Sequence, residues 1–229
     1  IRDSLWVYKT LRVAVVSSGN ELIKSGKKIK DHQVYDSNKY QIIHFLKKFN
    51  ISVHDLGIIK DDEIKVDKFY KKNQNKFDII ISSGGSSFSS KDYISSFLSQ
   101  NTELLFKYVR IQPGRPVIFS KLKFNYYFSL PGNPLAVFTN LFFLVSLFID
   151  PSRKDNSSIT KFYQSGFSEN KKSNLTKFYR VKLSKNILYT HNSKGSAKLI
   201  SLSEADGLAF VPEGNDKIKK GEKIRFIKF

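Results

Sequence analysis

Two short apolar runs constrain this chain more than any other feature: Arg12 to Ser17 (RVAVVS) and Phe77 to Ile81 (FDIII). A strand that is apolar on both faces must be covered on both, as in a parallel sheet flanked by helices. Each run leads into a loop of small polar residues, Ser17-Ser18-Gly19 after the first and Ser82 to Ser90 after the second. Between them, Tyr35 to Phe49 carries apolar residues at 42, 43, 45, 46 and 49, a helical period. Ile51 to Ile59 reads as a strand and Glu63 to Asn75 as a charged helix. A further helix is expected from Asp92, with strands at Pro116 to Ser120 and Tyr126 to Ser129. Pro134 opens a last helix, where its missing N–H does no harm, and that helix runs to Ile149. Alternating strands and helices predict a three-layer, doubly wound, mostly parallel sheet over residues 1–150.

The composition changes after Asp150-Pro151. Residues 151–175 are rich in Ser, Asn and Lys and read as a linker with a short strand inside. From 176 to 229 only short extended segments occur, at Phe178 to Leu183, Ile187 to Tyr189, Ala197 to Leu202, Leu208 to Val211 and Lys223 to Phe229. Turn glycines at 195, 207, 214 and 221 separate most of them, so a small all-β domain is expected.

Composition removes several function classes. The absence of cysteine excludes disulfides, thiolate metal sites and cysteine nucleophiles, and it fits a reducing compartment. The four histidines, at 32, 44, 54 and 191, have no metal-ligand spacing, and no nucleophile-elbow sequence is present. The longest apolar run, Phe138 to Ile149, is too short to span a bilayer and contains Asn140 and Ser146. No stretch reads as a signal peptide, so a cytoplasmic protein without a membrane partner is expected. The chain has no methionine, even at position 1, and is expected to be processed, trimmed or cut from something longer. The formal charge of +19 would suit a polyanion. Its lysines are scattered through a Lys/Asn/Ile-rich composition, however, so a nucleic-acid partner is not expected and an anionic small ligand is.

Open α/β sheets bind ligands beyond the carboxyl ends of their strands, where three loops of this chain fall. They are Ser17 to Glu21, Lys60-Asp61-Asp62, and Ser82-Ser83-Gly84-Gly85 with Asp92 behind it. Gly84 and Gly85 let backbone N–H groups approach an oxyanion, although a Gly/Ser stretch also serves as a plain loop. Asp61 and Asp92 could share a Mg²⁺ with phosphate oxygens or act as helix N-caps, a role that suits Asp62 better than Asp61. Arg115, in the rigid Gln112-Pro113-Gly114-Arg115-Pro116 loop, is either an oxyanion fork or a solvated arginine. Pro131-Gly132-Asn133-Pro134 is either an anion site at a helix start or a strand-to-helix turn.

The order and spacing of these loops resemble the MoeA/gephyrin-type molybdopterin molybdenumtransferases. The matching stretches are VAVVSSGNEL (13–22), VYDSN (34–38), LGIIKDD (56–62), DIIISSGG (78–85), KDY (91–93), PGRP (113–116) and LPGNP (130–134). Those in the β module are FYRVKL (178–183), LISLSEADGLAFVP (199–212) and GEKIRF (221–226). The resemblance implies molybdenum cofactor biosynthesis. Adenylated molybdopterin and molybdate would bind with Mg²⁺, the adenylate link would be hydrolysed, and molybdenum cofactor and AMP would leave a homodimeric enzyme. It makes Asp61 and Asp92 the catalytic, metal-holding acids. Glu21, Asp36, Asn38, Ser83, Gly84, Gly85, Pro131, Gly132 and Asn133 would contact the pterin nucleotide, and Arg115, Pro116, Arg180 and Ser201 the molybdate.

The chain departs from the family pattern at several positions. Ser86 to Ser90, including Ser89, replace a segment that normally holds a glycine and an acid. Tyr108 and Gln112 stand where the family has lysines, and Ala136 where it has a serine. These losses keep open a second reading, a non-catalytic scaffold or binding module that retains the fold.

Overall fold

The computed structural model describes residues 4, 7, 9–86, 92–154, 160–171, 173–190 and 200–229. Ser87 to Lys91, His191 and the first part of the expected 197–202 strand lie outside them. The chain forms two compact units, one of residues 1–105 with 118–129 and one of 106–117 with 130–229.

The first unit begins with β1 (Arg12–Ser18), β2 (Leu22–Ile23), β3 (Val34–Tyr35) and α1 (Asn38–Leu46). It continues through β4 (Ser52–Ile59), α2 (Glu63–Asn73), β5 (Ile79–Ser83) and α3 (Tyr93–Asn101). The strands β6 (Glu103–Tyr108), β8 (Pro116–Leu122) and β9 (Asn125–Leu130) complete its sheet, and β7 (Ile111–Gln112), between β6 and β8, belongs to the second unit. A six-stranded sheet has the order β4-β1-β5-β9-β8-β6, with β1 parallel to both β4 and β5. Val13 to Val16 are 0% exposed, which is why this strand could be read from its apolar run. Ala14 and Val16 join Ile80, Ile118 and Tyr127 under Val66 and Tyr70 of α2 and Ile94, Phe97 and Leu98 of α3. Side chains alternate along a strand, so Val13 and Val15 turn to the opposite face, where α1 packs on β1.

The sheet is mixed. β8 and β9 are antiparallel because only Lys123 and Phe124 join them, and a parallel crossover needs a dozen residues or more. The helix expected from Tyr35 starts at Asn38, because Val34 and Tyr35 pair with Leu22 and Ile23. β5 begins at Ile79 rather than Phe77, since Asp78 is held by Arg12. The strands β6 and β7 carry no strand signal in the sequence, because their apolar residues follow closely on the helical pattern of α3.

The second unit contains the helical run after β9: α4 (Pro134–Asn140), a π-helical turn Leu141–Val145, and α5 (Ser146–Ile149). Its strands are β10 (Thr160–Ser165), β11 (Glu169–Asn170), β12 (Thr176–Ser184) and β13 (Ile187–Thr190). A short α6 (Ile200–Ser203) precedes β14 (Gly207–Val211), β15 (Lys217–Ile218) and β16 (Lys223–Lys228). The main sheet has the order β13-β10-β16-β14-β12-β7. The strand inside the 151–175 stretch is β10, antiparallel to β16. Residues 200–203 form a helical turn instead of the expected strand, with Ser201 at 0% exposure and Leu202 packed against Leu135, Phe178 and Leu208. An alternation of apolar and polar residues this short fits one helical turn as well as a strand.

Arg12 ties the first residue of β1 to the approach of β5. Its amide donates to Asp78 Oδ2 at 2.8 Å, and its guanidinium donates to both carboxylate oxygens at 3.3 and 3.2 Å. Partial burial pushes the Asp78 carboxyl up, but the bonds from the Arg12 side chain and amide, with the charges of Arg12 and Lys9, outweigh it. The pKa of Asp78 therefore lies below the usual carboxylate value. A depressed carboxylate contributes stability that is present above the unfolded-state pKa and lost as pH falls through the folded one. In urea titrations between about pH 5 and about pH 2, Asp78→Asn is expected to show a shallower acid-side loss of stability than the parent chain. Equal slopes would remove Asp78 from the acid response.

Candidate functional site

In the first unit the polar loops meet at the carboxyl ends of β1, β4 and β5. Ser17 and Ser18 are consecutive, so they turn to opposite faces of β1. Ser17 Oγ donates to Asp36 Oδ1 at 2.9 Å on the α1 side, and Ser18 Oγ donates to Asp61 Oδ1 at 2.9 Å at the end of β4. Asp61 also accepts from Asn20 N at 3.2 Å, and its own amide donates to Asn20 Oδ1 at 3.3 Å, closing the two loops on each other. Asn38 Nδ2 donates to Ser83 Oγ at 2.9 Å, which brings the start of α1 to the loop after β5. The Glu21 carboxylate lies over Gly19, where a Cβ would meet its oxygens at 2.7 Å.

Gly84 has φ +85° and Gly85 φ +81°, the left-handed region that favours glycine. A Cβ at Gly84 would lie 2.5 Å from the Ser18 carbonyl oxygen, and one at Gly85 would lie 2.7 Å from Ile94 Cβ. Ser129, fully buried, donates to the carbonyl oxygens of Gly84 at 3.3 Å and Gly85 at 3.0 Å. In a trans peptide the N–H is antiparallel to the C=O, so the amides of Gly85 and Ser86 point away from Ser129. That is the arrangement a backbone oxyanion cradle requires. Ser129 had no sequence signal beyond its position at a strand end.

Asp92 is 5% exposed and is the N-cap of α3, with Oδ1 accepting from Ser95 N at 2.9 Å. Asp62 caps α2 in the same way, through Lys65 N at 2.9 Å. Asp61 caps nothing and is half-buried with both oxygens at the loop junction. Among the described residues no three His, Asp or Glu side chains are disposed to hold a metal ion.

The second unit holds the remaining candidates. Arg180 of β12 donates to Ser201 Oγ on α6, and burial lowers its guanidinium pKa from the ordinary value. Arg115 is exposed and stacks over the Tyr108 ring at 5.5 Å, beside Pro116 at the start of β8. Its loop is clamped from below: Thr139 Oγ1 donates to Pro113 O at 2.8 Å and Asn140 Nδ2 to Gly114 O at 3.0 Å. A Cβ at Gly114 (φ +114°) would meet both side chains within 2.8 Å. In the sequence, Asn140 is only an interruption of an apolar run. In the Pro131-Gly132-Asn133 loop, Asn133 Oδ1 accepts from the amides of Leu135 at 3.1 Å and Ala136 at 3.3 Å, so it caps α4. Ala136 is 3% exposed.

Comparison with known proteins identifies the two parts of the chain. Residues 14–150 match the family described as "Probable molybdopterin binding domain", and residues 164–229 match "MoeA C-terminal region (domain IV)". The chain belongs to the MoeA-type molybdopterin-binding family. A Haemophilus influenzae protein named molybdopterin molybdenumtransferase is 34% identical over 138 residues, 60% of this chain and 34% of that protein. A Nostoc protein of the same name is 27% identical over 234 residues, 95% of this chain and 53% of its own length. The structure of a Pyrococcus horikosii MoeA protein superposes with a TM-score of 0.81 at 26% identity, covering 97% of this chain and 55% of that one. The chain thus spans about half or less of the length of these MoeA-type relatives.

Two glycines separate the effect of backbone strain from that of close approach. Gly57 also has φ +85° but nothing within 4 Å of a Cβ. Gly57→Ala is therefore expected to lower stability by only about 1–2 kcal/mol, the left-handed penalty. Gly84→Ala must in addition displace the Ser18 carbonyl, and a larger loss is expected. Denaturant melts of the two variants check this, and equal losses would mean that the Gly84–Ser18 packing is dispensable.

Proposed function

We propose that this chain carries the pterin-nucleotide and oxyanion sites of a molybdopterin molybdenumtransferase, an enzyme of molybdenum cofactor biosynthesis that inserts molybdate into adenylated molybdopterin with release of AMP. The observation that supports this best is the junction of Ser18, Asp61, Asn20 and Gly84, which draws three strand-end loops around one glycine cradle. The substrate's phosphates and molybdate are oxyanions, and the chain offers backbone amides, serine hydroxyls and guanidinium groups in fixed positions.

In this reading the amides around Gly84 and Gly85, with Ser83, receive the diphosphate. Glu21, Asp36 and Asn38 border the pterin nucleotide. Arg115, Pro116, Arg180 and Ser201 serve molybdate. Arg180 suits that role because its guanidinium, oriented by the buried Ser201, has the planar fork geometry that matches an oxyanion. The donor set also fits Mg²⁺, which takes one or two carboxylates alongside phosphate oxygens. Asp61 Oδ1 accepts from Ser18 and Oδ2 from Asn20, which leaves lone pairs on the carboxylate, so Asp61, with Asp92 as the second carboxylate, would hold the ion. When bound, Mg²⁺ neutralises charge on the departing phosphate. The protein would act as a cytoplasmic homodimer with no nucleic-acid or membrane partner. No helix among the described residues is long and apolar enough to cross a membrane.

The scaffold reading draws on Ala136, whose buried methyl replaces a hydroxyl, and on Tyr108, which lies under Arg115 in place of a lysine. Calorimetric titration with adenylated molybdopterin and Mg²⁺ separates the two. The native chain is expected to bind, and Asp61→Asn to bind at least about tenfold more weakly, equivalent to about 1.4 kcal/mol. A folded native chain that binds no pterin nucleotide, alone or within the longer protein, would leave the scaffold reading.

A further inference from the structure

We infer that Lys39 is a positioning residue for the nucleotide loop, acting through the charge of a buried ammonium. The inference rests on the proposed function for the identity of the ligand, and on the first unit's geometry for everything else.

Lys39 lies in the first turn of α1, where a lysine normally points into water. Here its side chain is only 2% exposed. Its ammonium is 3.6 Å from Asp36 Oδ2 and 3.3 Å from Asp55 Oδ2, and it lies 5.5 Å from the centre of the Tyr40 ring. An ammonium removed from water persists only when it is paired. Asp36, with its side chain 1% exposed, is under the same constraint, and its Oδ2 has no hydrogen-bond donor. The charge of Lys39 is therefore what stabilises that oxygen.

The position of Asp36 determines much of the loop junction. Its Oδ1 accepts from Ser17 Oγ at the end of β1 and from the Lys39 amide at 3.3 Å. The second bond matters because Ser37, the N-cap of α1, makes no side-chain capping bond. Asp36 thus fixes the first turn of α1, and that turn carries Asn38 to Ser83, the residue before Gly84. Asp55 anchors the other side. It lies in β4 where the register with β1 shifts between Val15 and Ser17, and its Oδ1 accepts from Gly57 N at 2.7 Å. One ammonium thus joins the irregular part of β4 to the start of α1, with the end of β1 held between them.

Without the ammonium, Asp36 is left as a buried carboxylate held by one hydroxyl and one amide. Breaking such a pair is strongly destabilising, and the carboxylate must find another donor or rotate outward. Either change loosens the contacts to Ser17 and to the turn bearing Asn38. The expected damage is local, concentrated at residues 36–41 and 83–86.

The test compares three variants of the full chain by hydrogen–deuterium exchange without ligand and by calorimetric titration with adenylated molybdopterin and Mg²⁺. Lys39→Met is expected to speed exchange at 83–86 by about tenfold or more while the buried core of β1 stays protected. Its affinity is expected to fall by about tenfold or more. Lys39→Arg, which keeps the charge, is expected to recover most of both. Lys171→Met is the fold control. Lys171 is 5% exposed and donates to Leu175 O at 2.9 Å and Pro212 O at 2.7 Å in the second unit, so its loss should leave both readouts at 83–86 unchanged. Native exchange at 83–86 in a folded Lys39→Met chain would overturn the inference, as would equal damage from Met and Arg. If Lys39→Met does not fold, Asp55→Asn removes the more exposed carboxylate. It must then show the same local acceleration in weaker form, and its absence overturns the inference. Failure of the native chain to bind the nucleotide, alone or within the longer protein, would overturn the proposed function instead, and the exchange data would decide the role of Lys39 alone.

Discussion

Two adjacent hydroxyls at the end of a buried strand organise the open end of the first unit. A strand with no exposure along Val13 to Val16 cannot end in polar groups without giving them partners. Because Ser17 and Ser18 face opposite ways, the partners must come from both sides of the sheet. Asp36 arrives from the segment before α1 and Asp61 from the segment before α2. The Ser18 carbonyl then leaves room only for a glycine on its neighbour, which accounts for Gly84. The loops are drawn together by the need to satisfy polar atoms at the edge of an apolar layer, and the cradle is a by-product of that satisfaction.

Much of the fold was legible because burial leaves a pattern. The strands β1, β4 and β5, the helix α2 and the cap role of Asp62 follow from apolar runs, period and local chemistry. The errors share a cause, namely that tertiary partners decided between local options of similar merit. Val34 and Tyr35 could continue a helical pattern or pair with Leu22 and Ile23, and the ladder prevailed. Residues 200–203 could extend or coil, and the packing of Leu202 favoured the coil. The antiparallel pair β8–β9, set by the two residues between the strands, falls within the mostly parallel sheet that was expected.

The candidate site was legible to the extent that its residues are unusual in sequence. Paired glycines, a PGRP loop and acids after strands stand out. Ser129, Thr139, Asn140 and Lys39 do not, because a serine in a strand or a lysine on a helix has an ordinary explanation. Their roles appear only when the backbone brings a carbonyl, or a second carboxylate, to them. These residues hold the conspicuous ones in place, and an apolar or exposed environment would have made each of them unremarkable.

The path of the chain between the two units also bears on how the protein can be dissected. The second unit takes residues 106–117 from the middle of the first, and Ile111 and Gln112 pair there with Thr176 and Lys177 of β12. Leu135, Phe138 and Phe143 pack with Phe178, Leu202 and Leu208, residues well beyond the end of α5. A fragment ending near residue 150 would expose those aromatic and aliphatic side chains and leave β7 as an unmatched edge, an invitation to aggregate. Neither unit is a contiguous stretch of sequence, so gene truncation cannot isolate either one. The segment 106–117 and the helical run after β9 find their partners in the second unit only once the last strands have left the ribosome.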